Sequence, residues 1–298
     1  ISGMSIILVP RFSPKEFSKL IKQNKPAFLA GVPTMYEALI NSKERSKTYL
    51  KSVCNVICGG DVLNETLRDK VDEYLKLHGS SANIRVGYGL TECTGASCLT
   101  PRYYFKEGGI GIPLPDMSYK IVKIGTFEKA DNDEDGEICI SGPTVMKRYL
   151  DDPEETKKVL KRHSDGKIWL HTGDVGYVTE DGLLYVVSRI KDIIIRYDGK
   201  KIYPYNVENI LLKCPIVKSV AVVGIPDPNH YNGEVPVAFV SVDDSYSKEE
   251  AMRIVSDYAN STITDYLIPT SYYIKDELPK TVVGKVDKKV LKRSLVRK

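Results

Sequence analysis

At 298 residues, with 42% apolar and 28% charged side chains, the chain is long enough to bury more than one core and has the composition of an ordinary globular protein. No apolar run approaches a membrane span, and the opening Ile1-Ser2-Gly3-Met4 has neither the basic region nor the cleavage site of a secretory leader. The net charge of +4 lies in the last third, where residues 189–298 hold 18 Lys and Arg against 14 Asp and Glu.

Read from the N-terminus, Ile6–Val9 is predicted as a short buried strand. Ser13-Pro14 then opens a helix to about Gln23, with serine at the cap and proline in the first turn, where a missing N–H costs nothing. Ala27–Ala30 and Val53–Cys58 read as strands, with Pro33–Ile40 helical between them. Asn64 caps an amphipathic helix to Leu77, and Ile84–Tyr88 is the next strand. Strands alternating with helices imply a parallel sheet with helices on its faces, and ligands bind such sheets beyond the carboxyl ends of the strands. Gly59-Gly60 and Tyr88–Glu92 both fall there and are expected to converge on one crevice. The six cysteines show no metal-ligand spacing with the four histidines, so Cys54 and Cys58 are expected as buried free thiols, which fits a reducing cytoplasm.

From about Gly108 the pattern changes to short strands and glycine-proline turns. Tyr119–Lys123, Glu137–Ser141, Ile168–His171 and Leu183–Ser188 are predicted as a β-rich subdomain, with Thr179–Gly182 an Asp-Gly turn. A separate α+β module is expected after Ser188. In it, Asp192–Arg196 and Lys201–Tyr203 flank a Tyr197–Lys200 hairpin, and Pro204–Leu212 is a helix. Strands at Ser219–Gly224 and Val235–Val242 precede a helix to Ala259, with Ser247 and Glu250 as its capping box. The module ends in a loop carrying Gly284-Lys285 and a basic helix from Asp287.

The predicted class is therefore α/β. A large domain spans 1–188, with a parallel-sheet βα part over 1–107 and the β-rich subdomain over 108–188; an α+β lid domain follows over 189–298. Lys280–Lys298 holds eight bases and one acid with no interleaved aromatic residue. That reads as a solvated helix face, with a basic rim over a phosphate-rich ligand as the sharper alternative, and not as a nucleic-acid grip.

Where the strand at Ile84–Tyr88 is expected to break, Tyr88-Gly89-Leu90-Thr91-Glu92 presents a ring, a flexible glycine, a hydroxyl and a carboxylate. These suit a nucleotide with a metal-chelated phosphate, although a strand-to-helix turn capped by Thr91 is the plainer reading. Three more motifs follow: His171-Thr172-Gly173-Asp174, Arg189-Ile190-Lys191-Asp192, and Pro279-Lys280-Thr281-Val282-Val283-Gly284-Lys285-Val286. In this order and at these separations, the set resembles the adenylate-forming superfamily of acyl- and aryl-CoA synthetases, luciferases and peptide-synthetase adenylation domains. The resemblance runs over essentially the whole chain.

It implies an ATP-dependent acyl-CoA synthetase that uses Mg2+ and takes a carboxylic acid, fatty or aryl, with CoA. It also implies roles for particular residues. Lys285 is the catalytic cation, Glu92 the magnesium ligand and Thr91 a phosphate donor. Tyr88 and Gly89, with Gly59, Gly60 and Asp61, lie at the adenine of ATP or AMP. Asp174 takes the ribose hydroxyls, a pairing that suits a carboxylate and a vicinal diol. Arg189 contacts ribose and phosphate, and Lys191 is the hinge of a mobile lid. Gly199 and Lys200 face CoA, or else form only a tight hairpin with an exposed lysine.

The chain departs from the family in three places. Gly59-Gly60-Asp61 replaces a small or acidic residue followed by proline, and Ser188 replaces a glycine before Arg189. The Ser/Thr/Gly-rich loop ending in lysine, which grips the β- and γ-phosphates, has no counterpart here; Ser141-Gly142-Pro143-Thr144 is a poor substitute. The expectation is a C-terminal portion of a longer chain that binds AMP weakly and does not turn over ATP unaided. Two alternatives stand beside it: an amino-acid-activating domain that loads a carrier-protein thiol, and a non-catalytic adenylate-binding fragment.

Overall fold

Apolar periodicity places the helices, and polar caps set where they start. The computed structural model describes residues 3–9, 12–102, 106–281 and 285–296. Helices α1 (Phe17–Asn24), α2 (Pro33–Ile40) and α3 (Glu65–Leu77) alternate with strands β1 (Phe28–Gly31), β2 (Asn55–Cys58) and β3 (Ile84–Leu90). The three strands pair in parallel, Leu29 beside Val56 and Cys58 beside Val86. Asn64 starts α3 as expected, its Oδ1 accepting the Leu67 N–H at 2.8 Å. The stripe Leu67, Val71 and Leu75 then packs on Tyr36, Leu39, Val56 and Cys58. Val71 and Leu75 are fully buried, and each such burial stabilises the fold by roughly 1.5–3 kcal/mol. Strands β4 (Gly95–Leu99) and β5 (Ile112–Pro113) add antiparallel, giving the order β1-β2-β3-β4-β5.

Three expectations in this stretch fail. Ile6–Val9 is not a strand: residues 3–9 have no regular structure, and Ile6 is 88% exposed, because no described strand offers its backbone a ladder. The first helix starts at Phe17, since Ser13 uses its carbonyl in a turn to the Glu16 N–H at 3.1 Å. Cys58 is a buried thiol but Cys54, just ahead of β2, is exposed.

Strands β6 (Ser118–Val122), β7 (Gly136–Ser141), β8 (Leu160–Arg162), β9 (Ile168–Val178) and β10 (Leu184–Arg189) form a sheet of order β10-β9-β7-β6, with β8 paired to β9. β9 was expected to end at His171; it runs seven residues further because its pairing continues through the Thr172-Gly173-Asp174 motif. Helix α4 (Pro153–Val159) was not foreseen, although it carries its own signals: Asp152 accepts the Glu155 N–H at 2.9 Å and Pro153 occupies the first turn.

The last third holds a second core. β11 (Ile194–Ile195) and β12 (Lys201–Ile202) pair antiparallel, followed by α5 (Pro204–Leu211). β13 (Val217–Pro226) and β14 (Glu234–Val242) pair antiparallel, and β15 (Ser271–Lys275), missed in the sequence, lies parallel to β14. Ser247 caps α6 (Lys248–Thr262), its Oγ accepting the Glu250 N–H at 3.2 Å. Ile194, Ile202, Val207, Val222, Ala238 and Val255 share this core. Basic helix α7 (Lys288–Val296) buries Leu291 against Val223 and Phe239 and anchors Lys288 to Glu208 at 2.6 Å. Two compact units result, Ile1–Tyr119 with Ile140–Leu170 and Thr179–Tyr185, and Lys120–Cys139 with His171–Val178 and Val186–Lys298. Among the described residues, no helix is long and apolar enough to cross a membrane.

Candidate active site

Because β2 and β3 run parallel, their carboxyl ends lie side by side, and two of the predicted segments leave from there. Gly59 donates its N–H to the Gly31 carbonyl at 3.0 Å, and the exposed Asp61 accepts the Val62 N–H at 2.9 Å. The strand does not break at Tyr88 as expected. It continues to Leu90, turns through a short 3-10 helix at Thr91–Cys93 and returns as β4. Gly89 permits this. Any side chain there would collide with the Gly95 carbonyl, so only glycine lets the two backbones approach so closely. A bulge between Tyr88 and Gly89 absorbs the mismatch. Tyr88 and Gly89 therefore sit in the strand, with an exposed Thr91 and a half-buried Glu92 on the turn.

The turn is held by residues far away in the chain. Tyr149 donates its hydroxyl to Glu92 Oε1 at 2.6 Å, Met146 donates its N–H to the Glu92 carbonyl at 2.7 Å, and Thr94 Oγ1 donates to the Thr144 carbonyl at 2.8 Å. The Tyr149 phenol is pushed up to about 12, first by burial and then by the Glu92 carboxylate it serves. Sequence reasoning missed Tyr149, which stands 57 residues from its partner and just beyond the Ser141–Thr144 stretch weighed for phosphate binding. Glu92 Oε2 accepts no hydrogen bond from the described residues. A carboxylate beside the Thr91 hydroxyl is a hard oxygen donor set, and Mg2+ takes one or two carboxylates and leaves its other positions to phosphates and water. These residues fit that ion, and Glu92 would hold it.

In the other unit, Asp174 is only 4% exposed and accepts the Arg189 Nε–H on Oδ1 at 2.8 Å. Its stretch of β9 is tightly bonded. Thr172 Oγ1 donates to the Ile138 carbonyl at 2.7 Å and accepts the Asp174 N–H at 3.0 Å, while the Gly173 N–H reaches Glu137 Oε1 at 3.1 Å. Glu137 Oε2 in turn meets His171 Nδ1 at 2.7 Å.

The remaining predicted residues stand on separate loops. Lys191 is exposed in a 3-10 turn, Ile190–Asp192. Gly199 turns the β11–β12 hairpin at φ +77, and the Lys200 amine lies 4.9 Å over the Tyr266 ring, so it already has a partner. Lys285 is exposed on a loop closed by the Thr281 N–H to Lys285 carbonyl bond at 2.7 Å; Gly284 lies outside the described residues. Within its unit, nothing described bonds the Lys285 amine to Asp174 or Arg189.

A family model described as AMP-binding enzyme matches residues 1–150, and one described as AMP-binding enzyme C-terminal domain matches residues 206–285. The chain belongs to the AMP-binding enzyme family of the adenylate-forming superfamily. Relatives of the chain include a long-chain-fatty-acid–CoA ligase of Bacillus subtilis, 36% identical over 95% of this chain and 48% of the relative. A luciferin 4-monooxygenase of Photinus pyralis is 31% identical over 100% of this chain and 52% of its own. The ATP-bound crystal structure of MatB from Rhodopseudomonas palustris superposes with a TM-score of 0.84 at 27% identity, over 97% of this chain and 55% of that one. The chain thus spans about half the length of the relatives it matches.

Proposed function

We propose that this chain carries the adenosine-, metal- and lid-side residues of an AMP-forming acid–CoA ligase. In that reaction an acid carboxylate oxygen attacks the α-phosphorus of ATP and pyrophosphate leaves; a CoA thiol then attacks the acyl carbon and AMP leaves. In this reading Tyr88, Gly89 and Gly59–Asp61 hold the adenine, and Asp174 accepts the ribose hydroxyls while Arg189 fixes that carboxylate. Thr91 and Glu92 meet the phosphates, where bound Mg2+ supplies neutralising charge. Lys285 delivers its ammonium to the carboxylate and α-phosphate in the first step. Turning at Lys191 then brings Gly199 and Lys200 to the CoA arm in the second, one site serving two chemistries by gating.

The observation that carries this reading is the Asp174–Arg189 pair. A carboxylate with 4% exposure is costly to bury unless paired, and here it is paired on a strand whose hydrogen bonds orient it. A fatty or aryl acid is proposed because relatives include long-chain-fatty-acid–CoA and 4-coumarate–CoA ligases. Six free thiols suit a reducing compartment, and we assign the cytoplasm on that ground.

Isothermal titration calorimetry with unmodified AMP tests the proposal. The chain should bind it, and D174A should weaken binding at least about tenfold through the lost charge-assisted bonds; equal affinity in D174A and wild type overturns it. No pyrophosphate release is expected from the 298 residues alone, which contain no β,γ-phosphate loop. Thermal stabilisation by AMP and CoA separates CoA from a carrier-protein thiol as acceptor, because the second predicts a response to AMP only.

A further inference from the structure

We propose that Tyr149 is a positioning residue for the metal-bound nucleotide: its hydroxyl engages Glu92 Oε1 and leaves Oε2 as the single oxygen offered to a divalent cation on the phosphates. This rests on the reading of Glu92 as the metal ligand and goes further, by naming the group that orients it.

The geometry supports it from both ends of the tyrosine. The hydroxyl meets Glu92 Oε1 at 2.6 Å, a short bond from a neutral donor to a carboxylate. The Tyr149 backbone N–H is tied in turn to Thr156 Oγ1 at 3.0 Å, and that hydroxyl donates to the Asp152 carbonyl at 2.7 Å in the first turn of α4. The ring is therefore strung between a helix and the carboxylate. Two further bonds, Met146 N–H to the Glu92 carbonyl and Thr94 Oγ1 to the Thr144 carbonyl, join the same two segments. All of these residues belong to one compact unit.

A free glutamate rotates its carboxylate and presents either oxygen, or both. With Oε1 engaged by the Tyr149 hydroxyl, the carboxylate is held in one orientation and offers Oε2 with no competing hydrogen bond from the described residues. That suits Mg2+, which demands near-octahedral geometry and keeps most positions for phosphate and water. Residues that orient a metal ligand typically change metal affinity 10- to 100-fold when removed. If the bond merely buttressed the turn, its loss would weaken nucleotide binding with and without metal alike.

The test is the factor by which Mn2+ tightens binding of ATP to the chain in isothermal titration calorimetry, with AMP affinity as the control for an intact pocket. Tyr149→Phe should lower that factor about tenfold while AMP affinity stays within about twofold. Glu92→Gln should abolish the factor, and Y149F should lower it no further in the E92Q background, as for residues acting through one group. An unchanged factor in Y149F, or equal losses with and without metal, overturns the proposal. Should circular dichroism show that Y149F does not fold, Thr156→Val decides by the same factor: a drop supports the proposal, and a wild-type value overturns it. AMP binding without any Mn2+ effect on ATP in the wild type also sinks it while leaving the adenylate reading intact. Absence of AMP binding defeats both.

Discussion

The β3–β4 turn and the β11–β12 hairpin are both short antiparallel connections carrying a predicted site glycine, yet they are built in opposite ways. At Gly89 the need is space, since any Cβ would meet the Gly95 carbonyl. At Gly199 space is plentiful, with nothing within 4 Å of an added Cβ, and the need is the left-handed backbone at φ +77. The first turn is clasped by residues fifty or more positions away, Tyr149 and Met146 on Glu92 and Thr144 on Thr94. The second is braced largely by its own charges, Asp198 against Arg196 and Lys200, and by the stacking of Tyr197 on His230 at 3.5 Å. The turn to which we assign a metal ligand is fixed by tertiary bonds. The hairpin we assign to the moving lid is tied to the second core, where Arg196 Nη1 donates to the Tyr266 carbonyl at 3.2 Å and Ile194 and Ile202 are buried, so it would travel with that core.

That contrast can be broken by substitution. Gly89→Ala should cost about 3 kcal/mol or more, read as a drop in the urea midpoint, because backbone rather than a flexible side chain must give way. Gly199→Ala should cost about 1–2 kcal/mol, the price of a left-handed conformation for an L-residue with no clash added. Equal losses for the two would erase the distinction. His230→Ala should remove roughly 0.5–1.5 kcal/mol with the Tyr197 stack. Unchanged stability by thermal unfolding would mean the hairpin stands on its charges alone.

The smallest effect is a pH dependence. The Asp227 carboxyl is held below its ordinary range, first by the Asn229 N–H and then by His230. A depressed acid stabilises fully above its unfolded value of about 3.9 and loses that stabilisation as pH falls through its folded value. The stability gap between wild type and D227N should therefore be full at pH 7 and shrink below about pH 4. A gap constant from pH 7 to 3 would show that the carboxylate contributes nothing through its charge.

Much of the fold was legible. Asn64 and Ser247 announce helices because a side-chain oxygen before an apolar stripe supplies a cap that the backbone lacks. The β1–β2–β3 layer followed from alternation alone. The misses share a cause: Ile6–Val9 looked like a strand by its apolar residues, and β15 did not, but a strand exists only where a neighbour completes its hydrogen bonds. At the candidate site, Asp174, Arg189, Glu92 and the two glycine segments were all named from motifs, whereas Tyr149 was not.

By itself the sequence determined the chemical inventory in chain order and the residues whose backbone must be glycine, because those depend on local geometry and side-chain type. Only the tertiary structure decided who meets whom: that Arg189 turns to Asp174, and that Tyr149 crosses 57 positions to Glu92. Such pairings depend on how sheets bring distant strands together. A hydrogen bond a few ångströms long is set by that packing, and no periodicity in the chain encodes it.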